Sequence, residues 1–343
     1  MFSAKFSNTW DMETLSTKFK QQFDELLLNF LWRKWSALGV AGQVENEDSR
    51  MIDPEALLLF STTAARRDPR LFDEIMDWLH QNGSWINLQR MSRLQKEYEP
   101  GDSSILAAMA SCLSRDSAHA KWKILHGKMD GVTTSVRPLF PNIPLLGAQN
   151  EEFLRWGWQR GPLKFRGLSR PPLPNRPATF LIKLRALFGR QSRAEVVAWL
   201  LDHESGHPAE IARQLGYFRR SIQVVLNELA ASGHVDVIRS AREKHFAIRH
   251  EEWRFLLTWK SDGSFPKWIH WGSIFRMLRG LSELLERPDF DSMSSHLQTI
   301  EIRRVLKADP HIQTHIPIRV PLSSESRPDF FGEILEGLKT LLN

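Results

Sequence analysis

The chain has 343 residues, 42% of them hydrophobic and 25% charged, which is long enough for more than one core and excludes a collagen-like or largely disordered protein. Its formal charge of +6 suits a polyanionic partner without requiring one. A single cysteine, Cys112, excludes an intramolecular disulfide and any zinc site built on several cysteines.

Residues Met1–Leu15 carry no apolar core of the kind a signal peptide needs, and no later apolar run is long enough to span a bilayer, so a cytoplasmic chain without membrane contact is expected. The first periodic stretch places Phe23, Leu27, Phe30, Leu31 and Leu38 on one helical face, with Gly39 and Gly42 ending it. Asp53-Pro54 and Asp68-Pro69 then repeat one start signal, an aspartate cap followed by a proline in the first turn. They predict helices over Ala56 to Arg67 and over Leu71 to Leu79, the second ended by Asn82-Gly83. Ile86 to Leu94 predicts a further helix, and Ser103 to His126 another.

Composition changes between Pro138 and Pro177, where prolines crowd and periodicity fades, which reads as an ordered, extended connector. From Phe153 to Ala194 ten Arg or Lys residues occur with no Asp or Glu, a charge pattern that would attract phosphates. Arg166, Arg170 and Arg176 are therefore candidates for contact with a DNA backbone.

Next, Ser192 is the expected cap of a helix carrying Val196, Val197, Leu200 and Leu201, ended by Gly206 and Pro208. A short helix from Ala209 to Leu215 follows, then a turn at Gly216 and a third helix from about Phe218 to Ser232. Ile222, Val225, Leu226 and Leu229 share its inner face, whereas Arg219, Arg220, Gln223 and Asn227 line the outer one. Arginine, glutamine and asparagine side chains can bond guanine and adenine edges in a major groove. After Gly233, two β-rich runs flank Ser240-Ala241-Arg242-Glu243-Lys244 and predict an antiparallel hairpin, or wing. Arg239, Arg242, Lys244 and His245 are its candidate DNA contacts.

The segment from Ala209 to Gly216, with Arg219-Arg220-Ser221-Ile222-Gln223 and Leu226 to Val235, resembles winged helix-turn-helix regulators of the MarR and ArsR type. It is also similar to the winged-helix segments of AbiEi-type antitoxins. The first resemblance implies sequence-specific binding of double-stranded DNA, transcriptional repression and a homodimer contact through helices after the wing. The second implies an antitoxin or defence-system subunit whose partner protein is a nucleotidyltransferase toxin. Phe218 departs from the pattern by standing where such proteins usually carry a Ser or Thr cap.

His203-Glu204-Ser205-Gly206-His207 matches H-E-x-x-H, but Gly206 and Pro208 oppose the continuous helix that motif needs. The pairs His119 with His126, His245 with His250 and His311 with His315 lack a third ligand at telling spacing. No phosphate loop, dinucleotide fingerprint or nucleophile elbow is present. The expectation is a mainly α protein that is not an enzyme and has no catalytic residue, metal or cofactor. Its parts are an N-terminal helical domain (1–135), a Pro-rich basic connector (136–178), a winged helix-turn-helix (179–257) and a C-terminal helical region (258–343), with helices over Glu251 to Trp259, Trp271 to Leu285 and Asp329 to Leu342.

Overall fold

Helix α1 (Ser7–Ala37) runs further toward the N-terminus than the apolar stripe alone predicts. Helices α2 (Pro54–Ala64) and α3 (Pro69–Asn82) start at the two Asp-Pro pairs. Asp53 accepts from the Ala56 N–H at 3.1 Å and Asp68 from the Arg70 N–H at 2.9 Å, so each carboxylate satisfies an otherwise free amide of the first turn. Helix α4 (Leu88–Tyr98) begins later than Ile86 because Asn87 takes the cap position, accepting from the Arg90 N–H at 3.1 Å. The single helix expected over Ser103 to His126 is three pieces. α5 (Ser103–Leu113) stops, Asp116 caps a 3-10 segment over Ser117–Trp122, and α6 (Lys123–His126) follows.

The structure, a computed structural model, describes residues 7–42, 49–126, 135–141, 143, 147–240, 243–257, 263–308 and 330–342. Arg242, Trp259, His311, His315 and Asp329 of the sequence reading lie outside the described residues. In the connector, β1 (Arg137–Pro138) pairs in parallel with β2 (Trp158–Gln159), and α7 (Glu151–Arg155) lies between them in sequence. Residues 160–173 form neither helix nor strand. One side chain holds four successive amides of this stretch: the Asp77 carboxylate accepts the backbone N–H groups of Arg166, Gly167, Leu168 and Ser169 at 2.7, 2.8, 3.0 and 3.1 Å.

Helix α8 (Phe180–Phe188), which the sequence reading did not anticipate, precedes α9 (Ser192–Leu200). Ser192 is the first helical residue of α9 rather than its cap; Gln191 holds the cap position with no side-chain bond. Then come α10 (Pro208–Leu215), α11 (Arg219–Ala231), β3 (Asp236–Ser240) and β4 (Glu243–Ala247). The helix expected over Glu251 to Trp259 is shorter, with α12 (His250–Trp253) passing into a 3-10 turn at Arg254–Leu256. Helix α13 (Trp271–Leu285) lies as expected, α14 (Ser295–Leu306) was not anticipated, and α15 (Phe330–Leu342) closes the described chain. The chain is thus mainly helical, with a few short strands, and no described helix is long and apolar enough to cross a membrane.

Packing divides the chain into two units, and the division cuts across the chain-order one. One unit comprises residues up to Leu31 and from Gly272 onward. Its buried side chains include Phe19, Phe23, Leu27 and Phe30 of α1, Phe275 and Leu278 of α13, and Ile334 and Leu338 of α15. The rings of Phe30 and Phe275 meet edge to face, 6.0 Å apart. The other unit, Trp32–Trp271, holds the N-terminal helices after α1, the connector and the segment from α8 to α12.

The described buried side chains of this second unit include a group around α3 and a core formed from α8 to β4. Around α3, Trp35 and Trp78 meet edge to face at 5.3 Å, and both indole N–H groups are satisfied, Trp35 by the Ser61 hydroxyl and Trp78 by the Leu38 carbonyl. The tryptophans named here act as packing residues. The other core joins Leu181 and Leu184 of α8, Val196, Val197 and Trp199 of α9, Ile211 and Leu215 of α10, Ile222 and Leu226 of α11, and Phe246 of β4.

Candidate nucleic-acid interface

The geometry of α10 and α11 follows from their apolar spacing. Ile211 and Leu215 on α10 and Ile222, Leu226 and Leu229 on α11 are all buried, which fixes which face of each helix points outward. Between the helices Gly216 takes left-handed geometry, φ 70° and ψ 39°, and a side chain there would come within 2.9 Å of the Leu94 side chain. Glycine suits this turn on both counts. Before α10, the residues His203 to His207 form a loop, so the two histidines of the H-E-x-x-H match do not share a helical face. His203 instead stacks flat on Trp199 at 3.7 Å.

Arg219, Arg220 and Asn227 are exposed on the outer face of α11 and Gln223 is half-buried. Gln223 and Asn227 are bonded to each other, Nε2 donating to Oδ1 at 3.1 Å, as expected one helical turn apart. Among the described residues, no carboxylate pairs with Arg219 or Arg220. Glu228, on the same helix, is neutralised by Arg193.

The hairpin after α11 pairs Asp236 with Ala247, Val237 with Phe246, Ile238 with His245, Arg239 with Lys244 and Ser240 with Glu243. Directly opposed residues lie on one face, so Arg239 and Lys244 project together, on the side whose inner end carries the buried Phe246. Both cations are exposed. His245 points to the other side, 3.5 Å from Glu243. Gly206 adds a backbone bridge to the hairpin, exchanging two hydrogen bonds with Phe246 at 2.9 and 3.0 Å. A Cβ at Gly206 would lie 2.4 Å from the Trp199 ring, so only glycine lets this strand-like residue approach β4 over that indole.

Part of the excess of cations between Phe153 and Ala194 is balanced within the fold. Arg160 is buried against Asp73 at 2.8 Å, Arg166 pairs with the buried Glu74, and Arg185 is buried between Glu55 and Glu195. These carboxylates belong to α2, α3 and α9, so much of the expected phosphate attraction is cancelled within the fold. Arg170 and Arg176 are exposed and have no ion-pair partner among the described residues.

Two residues just before α11 tie it to the N-terminal helices. Phe218 occupies the cap position without a capping bond, and the Arg93 guanidinium lies 3.3 Å from its ring centre. The Tyr217 hydroxyl accepts from Asn87 Nδ2 at 3.1 Å; burial, and then the charge of Glu195, push its ionisation well above the ordinary tyrosine range. Beneath them lies a fully buried ion cluster of Asp53, Glu55, Arg90, Arg185 and Glu195. Burial pushes the Asp53 carboxyl up, but the adjoining Arg90 guanidinium outweighs it and holds the group below the usual carboxylate range.

The sequence reading missed Arg93, Asn87 and this cluster, whose members stand as far apart in sequence as Asp53 and Glu195. No local spacing signals such a contact. The chain matches no protein-family model, no curated protein and no solved structure in the comparisons made.

Proposed function

We propose that the segment from α8 to β4 is a winged helix-turn-helix and that the chain is a sequence-specific double-stranded DNA-binding regulator of transcription, acting as a repressor. In this reading α11 enters the major groove and the β3–β4 hairpin is the wing. The observation that carries it is the pair of exposed arginines at the start of α11, Arg219 and Arg220, free of carboxylate partners among the described residues and continued along the helix by Gln223 and Asn227. Arginine and amide side chains on one helical edge form the bidentate contacts that discriminate guanine and adenine, each worth ~1–3 kcal/mol. Arg239 and Lys244, projecting from one face of the hairpin, supply sequence-independent phosphate contacts, as Arg170 and Arg176 would from the connector.

The test is selection of bound sequences from a random duplex library by the full chain, followed by gel shift. The expected result is an enriched motif with a steep salt dependence. Recovery of no motif and no shift at low salt removes the reading.

One observation favours a second reading, a partner-binding subunit of the antitoxin kind. Phe218 and Val224, on or next to the outer face of α11, are 65% and 48% exposed, and apolar groups there suit a protein surface better than a phosphate-lined groove. Co-purification of a partner whose binding is lost on Val224→Asp, with no DNA motif recovered, would select this reading.

A further inference from the structure

His80 stands in the last turn of α3, and Asp116 and His119 stand at the start of the 3-10 segment that follows α5. One donor atom from each of the three lies within 4.8 Å of the other two. His80 Nε2 is 3.4 Å from Asp116 Oδ2, and the two imidazole rings are 5.1 Å apart, inclined at 45°. Two bonds of roughly 2.0–2.1 Å meeting at a tetrahedral angle put their donor atoms about 3.4 Å apart. The His80 and Asp116 donors already have that separation, and a His119 ring nitrogen lies within 4.8 Å of both.

Asp116 and His80 are each oriented by a group outside the cluster, and the His119 imidazole is hydrogen-bonded to the His80 backbone. Asp116 spends Oδ1 on the Ala118 N–H at 2.9 Å, which leaves Oδ2 turned toward His80. His80 stacks against the Phe165 ring at 4.3 Å, nearly parallel, so an apolar wall covers one side of its imidazole. His119 departs from helical geometry, φ −108° and ψ 18°, at a kink inside its segment. That segment is fastened to the end of α3 on its far side, where Lys121 Nζ donates to the Gly83 carbonyl at 2.9 Å and the buried Trp122 packs against Gly83. Supporting groups that fix the orientation of donors are what a preorganised ion site needs.

We propose that His80, Asp116 and His119 form a binding site for one divalent transition-metal ion, zinc in the first instance, with an open coordination position. Two imidazoles and one carboxylate suit zinc, cobalt(II) or nickel(II), whereas magnesium and calcium prefer all-oxygen shells. The partial exposure of His80 and the exposure of Asp116 leave room for a water or an incoming ligand at the open position. The site lies outside the segment assigned to DNA binding and does not depend on that reading.

The experiment is titration of the metal-free full chain with cobalt(II) chloride, read by visible d–d absorption, with zinc chloride as competitor. One equivalent of cobalt bound and displaced by zinc is expected. His80→Ala and His119→Ala should each weaken binding roughly tenfold or more, while far-ultraviolet circular dichroism stays unchanged. Asp116→Asn, which keeps the capping oxygen at an exposed position, should weaken binding without touching the fold. Absence of stoichiometric uptake by the parent chain overturns the proposal, and so does equal uptake by all three variants.

Discussion

Glu55, in the first turn of α2, and Arg185, on α8, form a buried ion pair of 2.7 Å between elements that lie 130 residues apart in sequence. The same carboxylate takes Arg90 at 2.6 Å and the Asn87 N–H at 2.7 Å, while Arg185 also holds Glu195 at 2.6 Å. Arg90 in turn donates to the Leu215 carbonyl at 2.8 Å, at the end of α10. The segment from α8 to α10 is therefore bonded to the N-terminal helices by charges with no access to water. Breaking one member strands the others: Glu55→Ala should cost about 3–5 kcal/mol, seen as a lower urea midpoint of the full chain. A shift of under 1 kcal/mol would show that the cluster does not couple these elements.

What the sequence revealed, and what it hid, follows from the range of the interactions. Asp53 and Asp68 were legible as helix starts because a cap acts on amides two and three residues away. The inner and outer faces of α11 were legible because burial follows a 3.6-residue period. The fate of the basic connector was not legible. Arg166 and Arg160 find Glu74 and Asp73 on α3, more than eighty residues back, so a stretch that is acid-free in sequence is supplied with acids in space. Gly206 read as a helix terminator, and its second role, the bridge to Phe246, depends on a strand forty residues further on.

Asp77 is the clasp of that connector. Burial raises its carboxyl pKa, but the four amides bonded to it, Gly167 first, outweigh burial and hold it below the usual range. A depressed native pKa adds stability that is present above the ordinary carboxylate pKa and lost as pH falls through the native value. Asp77→Asn should destabilise the chain by about 1–3 kcal/mol at neutral pH, since an amide has one acceptor oxygen for four donors. The deficit should narrow in acid; a melting series from pH 7 to pH 3 checks both signs.

Lys34 makes the opposite demand. Burial, then the nearby Arg50 and Arg33, lower its ammonium pKa to about 6. Between that value and the ordinary lysine value of 10.5 the unfolded chain binds more protons than the folded one, so this group makes stability rise with pH across the window. Lys34→Met should raise the melting temperature at pH 7, by ~2–4 °C for each kcal/mol gained. Its advantage should be greatest below pH 6 and fade toward pH 10; a constant difference across that range would refute the buried-ammonium account.

The DNA-binding reading separates two pairs of cations by what each should change. Arg219 and Arg220 are exposed at the start of α11, the end that this reading puts in the major groove, so replacing both with alanine should erase the difference in affinity between a selected motif and random duplex while leaving weak binding in place. Arg239 and Lys244 oppose each other across the hairpin, and under that reading they meet phosphates and the adjoining minor groove. Their double alanine variant should bind every duplex more weakly and reduce the slope of log affinity against log salt by about two. Because Arg239 and Lys244 are exposed and lie outside the buried core, these variants should melt like the parent chain. If the hairpin pair altered sequence preference and the helix pair altered only the salt slope, the assignment of α11 to the major groove would be reversed.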